Sequence, residues 1–340
     1  MSGEVFHAPL VEAVDGLELA AIVTSDPQRR QRAAAAHPMA TLVGSTEELW
    51  PVAADLGVEL LVVAAPNRAH VPVALEALAA GLHVVVDKPL AVTAADARRV
   101  VAEADRGGRV LSVFHNRRWD GDFLTVRRLT DEGVLGHVWR FESRFERWRP
   151  ERPAEAWRER ADPAEGGGLL MDLGSHLIDQ AILLLGPPRT VYAELGHRRP
   201  GAAVDDDAFV AVEHVSGARS HLWASSVAPR PGPRFRVLGS KAGYVVEGMD
   251  VQEAALLAGA TPGGPGWGEA PPSRWGTVGA ADRVEPVPTE PGDYSRFYEG
   301  MAAAIRGGAP PVPPADAVLT LDVIEAARHS AASGEVVAMG

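Results

Sequence analysis

An aspartate and a histidine stand four residues apart behind a run of three glycines. Asp172 and His176 follow glycines 166–168, and the apolar residues around them recur at helical spacing. Positions four apart share one face of a helix, and Asp179 continues that row. A carboxylate beside an imidazole orients the ring and stabilises its protonated form, which suits the pair to proton transfer near neutral pH. We therefore predict that Asp172 and His176 form a catalytic pair.

Two other interpretations of this segment stay open. A histidine inside a buried helix can simply be satisfied by core contacts, as most isolated histidines are. The spacing of Asp172, His176 and Asp179 also suits a metal, but no further ligand cluster stands beside them, so we predict no metal site. The triple glycine permits close approach of the backbone, which favours the catalytic interpretation.

Lysine is nearly absent from this chain. Of the 33 basic residues only Lys88 and Lys241 are lysines, so arginine serves wherever a general positive charge is needed. A lysine kept at position 88, between Asp87 and Pro89, indicates chemistry that requires a compact ammonium group. Lys88 is therefore a third candidate catalytic residue.

Composition excludes several classes of function. The net charge of −12 argues against a nucleic-acid partner or an anionic membrane surface, because both require clustered positive charge. The absence of cysteine excludes disulfides, thiolate zinc sites and a cysteine nucleophile. No signal peptide is visible, and no apolar run approaches the roughly 20 residues that span a bilayer. We expect a cytoplasmic protein that acts on a small molecule.

The elements that must position these residues alternate between strands and helices from residue 17 to about residue 115. Short runs of Val, Leu and Ile separated by helical segments are typical of a doubly wound parallel sheet. Ligands of such sheets bind at the carboxyl ends of the strands. Residues 65–67, 87–89 and 115–118 each contain polar side chains and follow consecutive predicted strands, so we expect them to line one crevice.

The first residues depart from this pattern. A dinucleotide-binding domain should open with a strand and a Gly-x-Gly-x-x-Gly turn, whereas Ser2 and Gly3 lead directly into a helical segment. We expect the first strand and part of the glycine turn to be missing, and we hypothesise that the sequence begins at an internal methionine. Loss of a normally central strand should leave its neighbours unpaired and damage the pyrophosphate site.

The chain changes character after residue 118, which divides it into predicted domains of residues 1–118 and 119–340. A strand at 138–148 and five short strands between residues 191 and 247 indicate an α/β domain with a large, mostly antiparallel sheet. Residues 259–292 are rich in proline and glycine and are predicted to be irregular. Helices at 294–306 and 314–332 close the chain and can pack back on the first domain.

These segments together resemble the Gfo/Idh/MocA oxidoreductases, the family named for glucose–fructose oxidoreductase and inositol dehydrogenase. The resemblance rests on residues 65–67 with His70, on 87–89 and on 166–176. Residues 6–10 and 109–120 are similar to the branch that contains NADP-dependent scyllo-inositol dehydrogenases. The resemblance implies a Rossmann-type domain, a nicotinamide cofactor and a polyol, cyclitol or sugar substrate. It also implies a homodimer or homotetramer that assembles through the C-terminal sheet.

The resemblance further implies a role for each matching residue. Lys88 would polarise the reacting oxygen and contact the cofactor, and Asp172 and His176 would transfer the proton, with His176 as the preferred base. Ser2 and Gly3 would be what remains of the pyrophosphate turn. The residues that would line the nicotinamide side of the crevice are Pro66, Asn67, His70 and Asn116.

The choice of cofactor is argued from the segment after the strand at residues 17–23. An acidic residue at this strand end normally binds the ribose 2′-hydroxyl of NAD. Thr24 and Ser25 stand here instead, Asp26 is typical of a helix cap, and Arg29 follows. Two hydroxyls and a nearby arginine suit a 2′-phosphate, so we predict NADP in preference to NAD.

Two further functions stay open. A regulatory protein that senses a ligand can use the same fold, because fold does not fix function. A glycosidase that uses its nicotinamide only transiently would keep the same cofactor. The presence of Lys88, Asp172 and His176 together favours the dehydrogenase.

Overall fold

The structure, a computed structural model that describes residues 2–151 and 165–340, has two halves with different sheets. In the first half helices and strands alternate, as its Val- and Leu-rich runs predict. Its elements are α1 (Gly3–His7 continuing as Ala8–Glu12), β1 (Ala21–Val23), α2 (Pro27–Ala36), β2 (Thr41–Val43), α3 (Thr46–Asp55), β3 (Leu60–Val63), α4 (Asn67–Ala79), β4 (His83–Val86), α5 (Ala94–Gly107) and β5 (Leu111–Val113).

The strands of the first half form two separate parallel sheets. β1 pairs with β2, whereas β3, β4 and β5 form a second sheet, and no strand of the described chain lies between β1 and β3. Val84, Val85 and Val86 of β4 are completely buried, but Leu60, Leu61 and Val62 on β3 are only half-buried. A Rossmann-type sheet that lacks a central strand must leave such open edges, so this part of the prediction is confirmed.

The second half is built on one nine-stranded sheet. The strands are ordered β13-β12-β11-β10-β6-β9-β8-β7-β14, and every neighbouring pair is antiparallel except β6 and β9. Its elements are α6 (Gly121–Asp131), β6 (Val138–Glu146), α7 (Leu170–Gly174 continuing as Ser175–Leu185), β7 (Pro188–Gly196), β8 (Asp207–His214), β9 (Arg219–Ser225), β10 (Phe235–Gly239), β11 (Gly243–Val246), α8 (Gln252–Leu257), β12 (Gly276–Ala280), β13 (Arg283–Val287), α9 (Ser295–Ile305), α10 (Pro314–Ser333) and β14 (Val337–Ala338). The predicted fold class, including the large antiparallel sheet, is confirmed.

The prediction that residues 259–292 are irregular is wrong for their second part. β12 and β13 form an antiparallel hairpin in this segment, with Thr277 opposite Pro286. β13 is the outermost strand of the sheet, and proline is tolerated on an edge strand because its missing N–H removes no ladder hydrogen bond. The high proline and glycine content therefore hid strand β13, which can contain Pro286 because it lies at the edge of the sheet.

Helix α10 joins the two halves. Arg98 on α5 donates hydrogen bonds of 2.7 Å to both carboxylate oxygens of Asp322, and Glu325 accepts one of 2.7 Å from the Ala94 N–H. A single core contains Val86 from the first sheet and Phe141 from the second. These contacts fix the position of the two halves on either side of the crevice. Among the described helices, none has both the length and the apolar character needed to cross a membrane.

Candidate active site

The register of β3, β4 and β5 brings the polar segments predicted to line one crevice to the same sheet edge. Asn67 begins α4 just after β3, Asp87 follows β4, and Asn116 opens a short 3₁₀ turn (Asn116–Trp119) after β5. The Asn67 side-chain amide donates a hydrogen bond of 3.1 Å to the carbonyl of Gly166. This bond joins the carboxyl edge of the sheet to the glycine-rich loop of the second half.

Lys88 is held between the two halves of the molecule. Its ammonium group forms an ion pair of 2.6 Å with Asp172 Oδ1 and donates a second hydrogen bond of 2.5 Å to the Asp172 backbone carbonyl. The Lys88 side chain is only 11% exposed, so its long stem is fixed by packing. An ammonium group in such a setting can donate a hydrogen bond from a defined point.

His176 lies beside this ion pair and is buried. Its ring packs edge-on against the rings of His115 and Phe145, with centroid distances of 6.1 and 6.2 Å. Burial, followed by the positive charges of Lys88 and Arg117, holds the pKa of His176 well below its ordinary value. Its Nδ1 atom is buried without a hydrogen-bond partner. The ring is therefore neutral at neutral pH, and an uncharged imidazole can accept a proton.

The predicted contact between Asp172 and His176 is not what the structure shows. Within residues 2–151 and 165–340 no hydrogen bond joins them, and the Asp172 carboxylate bonds Lys88 instead. The first turn of α7, Leu170–Gly174, is a wide π-helical turn, so the regular four-residue spacing does not apply across it. Lys88 and Asp172 form the pair, and His176 is their neighbour.

Asp179, which continues the same row, belongs to a different contact. Its carboxylate accepts hydrogen bonds of 2.5 and 2.8 Å from the Arg118 guanidinium, and that guanidinium also bonds Asp316. Burial acts to raise the pKa of Asp179, but the charges and hydrogen bonds around it, chiefly those of Arg118, hold it below its ordinary value. No group of three or more potential metal ligands is found among the residues that the structure describes.

A buried aspartate that the sequence analysis missed fixes the glycine-rich loop. Asp205 accepts hydrogen bonds from the Leu170 N–H through its carboxylate, at 2.6 Å, and from the Leu169 N–H through its carbonyl, at 3.0 Å. Gly168 has a φ of +97°, and a Cβ atom there would lie 2.0 Å from Asp205 Oδ1. Only glycine therefore fits at position 168 beside this carboxylate.

The residues predicted to line the nicotinamide side lie after β3 and β5, and both ring nitrogens of His70 are occupied by backbone carbonyls. Its two ring nitrogens lie 2.7 Å from the Pro89 carbonyl and 2.8 Å from the Ala65 carbonyl. His70 therefore anchors the turn that carries Lys88. Pro66 immediately precedes α4, and Asn116 is buried at the end of β5.

The residues present at the start of α1 fit a dinucleotide. The helix begins at the carboxyl edge of the sheet, and no side chain of its N-cap residue, Ser2, accepts the first N–H groups. Such groups are free to bind the oxygens of a pyrophosphate. The Ser2 side chain instead forms a hydrogen bond with Asp87. Burial acts to raise the pKa of Asp87, but His7 and this hydrogen bond outweigh it and hold the pKa below its ordinary value. A Cβ atom on Gly3 would approach Ala64 no closer than 3.6 Å, so this helix start has room around it.

The residues predicted to select the ribose form a separate and more exposed group. Thr24, Ser25 and Arg29 follow β1, and Ser25 and Arg29 are exposed. Asp26 caps α2, as predicted, because its carboxylate accepts a 2.7 Å hydrogen bond from the Arg29 N–H. An ion pair of 2.7 Å between Arg32 and Glu4 places α2 beside the start of α1. The group therefore flanks the predicted pyrophosphate position and is separate from the Lys88 ion pair.

A network behind His176 also escaped the sequence analysis. Arg234 donates hydrogen bonds to Ser143, at 2.5 Å, and to Gln180, at 2.8 Å, and its guanidinium lies 4.1 Å from the centre of the Phe145 ring. Phe145 in turn packs against His176. The only sequence signal for this network is Gln180, a polar residue on the apolar helix α7. Arg234 gave no signal of its own, because it lies before β10, far along the chain from α7.

This architecture defines an oxidoreductase with an NAD-binding Rossmann-type domain and a C-terminal α/β domain. Residues 1–115 match the family described as "Oxidoreductase family, NAD-binding Rossmann fold", and residues 127–339 match "Oxidoreductase family, C-terminal alpha/beta domain". The chain belongs to the Gfo/Idh/MocA oxidoreductase family. The resemblance stated from the sequence is confirmed.

Individual relatives agree over nearly the whole chain. It is 40% identical to the oxidoreductase YdgJ of Escherichia coli (strain K12), over 97% of this chain and 93% of that protein. It is 35% identical to the scyllo-inositol 2-dehydrogenase (NADP(+)) IolW of Bacillus subtilis (strain 168), over 97% and 91%. Among solved structures, the Bacillus subtilis oxidoreductase yvaA superposes with a TM-score of 0.92 at 33% identity, over 100% of this chain and 95% of that one.

Proposed function

We propose that this protein is an NAD(P)-dependent dehydrogenase that acts on a hydroxyl or ketone group of a polyol, a cyclitol or a sugar. The observation that carries the proposal is the Lys88–Asp172 ion pair beside the neutral, buried His176, at the carboxyl edge of the first half. The name of IolW, which specifies an inositol and NADP(+), supports the substrate class and the cofactor.

In the proposed reaction three side chains divide the work. His176 accepts the hydroxyl proton of the substrate, because its pKa keeps the ring uncharged. Lys88 donates a hydrogen bond to the reacting oxygen as negative charge develops on it, and Asp172 holds the ammonium group in position. A bound nicotinamide ring supplies the hydride acceptor, or the donor in the reverse direction.

The proposed cofactor contacts follow the length of the crevice. Ser2 and Gly3 bind the pyrophosphate, and Thr24, Ser25 and Arg29 contact the ribose, where the arginine favours the 2′-phosphate of NADP. The nicotinamide end is bordered by four residues: Pro66, Asn67, His70 and Asn116. Of these, His70 acts indirectly, by positioning the turn that carries Lys88. Lys88 contacts both cofactor and substrate.

We further propose that the dinucleotide domain ends at residue 118 and that the domain of residues 119–340 forms a homodimer or homotetramer. The outer face of its sheet is half-exposed and carries Phe209 and Trp223, with the Arg144 guanidinium 3.9 Å from a ring centre of Trp223. Aromatic rings and arginine are typical of interface cores. Light scattering of the purified protein at several concentrations measures this assembly directly.

The two lysines of the chain provide a matched test of the function. Wild-type protein with NADP⁺ and a panel of inositols, sugars and sugar alcohols is expected to change the nicotinamide absorbance. Lys88→Met should lower kcat by about 10²–10³-fold, because it removes a preorganised donor to the reacting oxygen. Lys241→Met, which changes an exposed lysine of the β10–β11 turn, should retain wild-type turnover.

The other outcomes identify the competing functions. Product formation without a net change in nicotinamide absorbance would indicate the transient use of the cofactor made by a glycosidase. Binding of cofactor and ligand without any turnover would indicate a sensor. Equal kcat values for Lys88→Met and Lys241→Met would contradict the role of Lys88.

A further inference from the structure

Arg147 lies at the end of β6 nearest to the candidate active site. Its N–H donates a 2.8 Å hydrogen bond to the Ser225 carbonyl, and its own carbonyl accepts one of 3.0 Å from the Ala228 N–H. The chain stays extended through Trp148, which forms a β-bridge with Val227. The backbone at position 147 is therefore fixed from both sides.

The alternation of an extended chain places the Arg147 side chain on the inner face of the sheet. Phe145, two residues earlier, packs against the His176 ring and so marks the face that points to the active site. Glu146 points to the opposite face, where its carboxylate accepts a hydrogen bond from the Gly232 N–H. Arg147 therefore shares with Phe145 the face that borders His176.

The positive charge of Arg147 has no ion-pair partner among the described residues, although the residue is half-buried. The other cations at the crevice are paired: Arg117 with Glu253, Arg118 with Asp179, and Lys88 with Asp172. Burial lowers the pKa of Arg147, and Arg149 lowers it further. Glu253 and Asp172 act in the opposite direction, but both carboxylates bond other cations. A guanidinium keeps its charge nonetheless, so no direct ion pair among the described residues offsets the cost of partly burying it.

A half-buried guanidinium without a direct ion-pair partner among the described residues, at the edge of a substrate crevice, suits an anionic group of the substrate. Its planar set of donors forms paired hydrogen bonds with the oxygens of a carboxylate or a phosphate. The pyrophosphate of the cofactor would lie at the start of α1, where Ser2 bonds Asp87. The carboxylates that act on Arg147 are instead Glu253 and Asp172, the second of which belongs to the candidate active site, so we assign Arg147 to the substrate.

We propose that Arg147 binds an oxyanion of the substrate, so that the preferred substrate is a sugar or polyol that carries a carboxylate or a phosphate group. The inference rests on the proposed dehydrogenase function and specifies its substrate class. Arg147 determines specificity in this account, while Lys88 and His176 act on the reacting hydroxyl. Removal of its charge should therefore affect anionic substrates far more than neutral ones.

The test compares neutral and anionic substrates in wild-type protein, Arg147→Gln and Arg147→Lys. For gluconate, glucuronate or glucose 6-phosphate, kcat/KM should fall by about 10²-fold or more in Arg147→Gln, since truncation of one member of a charged pair has effects of this size. For glucose and inositols it should change by no more than about threefold. Arg147→Lys should recover part of the anionic activity. Arg219→Gln, on an exposed arginine of β9, is the matched control and should leave both activities unchanged.

The comparison separates this inference from the proposed function. An equal loss for neutral and anionic substrates in Arg147→Gln would overturn the specificity role, as would a wild-type preference for neutral substrates. Comparison of kcat/KM for the carboxylate substrates with that for glucose 6-phosphate shows which anion Arg147 binds. If no substrate reacts, the dehydrogenase proposal fails, and calorimetric titration of the NADP⁺-saturated protein still decides the present one. Wild-type protein should then bind gluconate or glucose 6-phosphate and Arg147→Gln should not; absence of binding to wild-type protein would overturn it.

Discussion

The two ends of the proposed cofactor crevice are built differently. At the substrate end, Lys88, Asp172 and His176 are held by contacts from both halves of the molecule. At the ribose end, Ser25 and Arg29 are exposed side chains beside the short strand β1, whose sheet has only one other member. The reacting groups are therefore preorganised before substrate binds, whereas the ribose end can acquire its contacts from the ligand.

The sheet explains why the ribose end is looser. β1 and β2 rest on a small cluster of three buried residues: Val43, Leu49 and Ala53. β4, which leads to Lys88, is part of the large core that runs through both halves. Few buried contacts and open strand edges imply a low free energy of local opening. Substitutions at the two ends should therefore have effects of different size and kind.

The largest effect is expected at His176. His176→Gln removes the proposed base, so kcat should fall by about 10²–10⁴-fold, while calorimetric affinity for NADP⁺ should stay close to that of wild-type protein. Near-normal turnover in this variant would contradict the role of His176 as the base.

The low pKa of His176 predicts how activity and stability depend on pH. Its pKa is lowered well below 6.5 by burial, so wild-type kcat/KM should persist through pH 6.5 and decline only at lower pH. The unfolded chain binds this proton near pH 6.5 but the folded chain does not, so the free energy of unfolding should fall as the pH decreases below that value. His176→Gln should weaken this fall, as chemical denaturation at several pH values would measure. An acidic limb centred above pH 6.5 would contradict the buried, neutral ring.

A matched pair of glycine substitutions measures the difference in packing. Gly168→Ala forces a Cβ atom to 2.0 Å from Asp205 Oδ1 at a φ of +97°, and should lower the free energy of unfolding by about 3 kcal/mol. Gly3→Ala meets nothing closer than 3.6 Å and should change it by less than about 0.5 kcal/mol. Equal destabilisation by the two substitutions, measured by urea unfolding, would contradict the tighter packing of the glycine-rich loop relative to the start of α1.

The smallest effect is expected at Arg29. Arg29→Gln should weaken NADPH binding by about tenfold, because an exposed charged hydrogen bond to the 2′-phosphate is lost, and should leave NADH binding unchanged. Arg230→Gln, on an exposed arginine of the second half, serves as the control. A parallel loss of both cofactors would refute the role of Arg29 in cofactor choice.

The sequence was most informative where chemistry and local pattern coincide. The scarcity of lysine singled out Lys88, and the Val-rich runs predicted the parallel strands whose carboxyl ends carry it. The partner of Lys88 could not be predicted, because helical spacing paired Asp172 with His176 and gave no sign of the wide first turn of α7. Asp205 and Arg234 reach the site from strand ends far along the chain, and only the register of the large sheet brings them there.

In the proposed reaction, Lys88, Asp172 and His176 together support a net hydride transfer to a small substrate. The most direct test supplies NADPH deuterated at the transferable position of the nicotinamide ring together with a panel of keto sugars, keto acids of sugars and ketoinositols. Deuterium is expected on the carbon that becomes the new alcohol, and His176→Gln should suppress this transfer. Cofactor binding without transfer of deuterium to any product would contradict the proposed reaction.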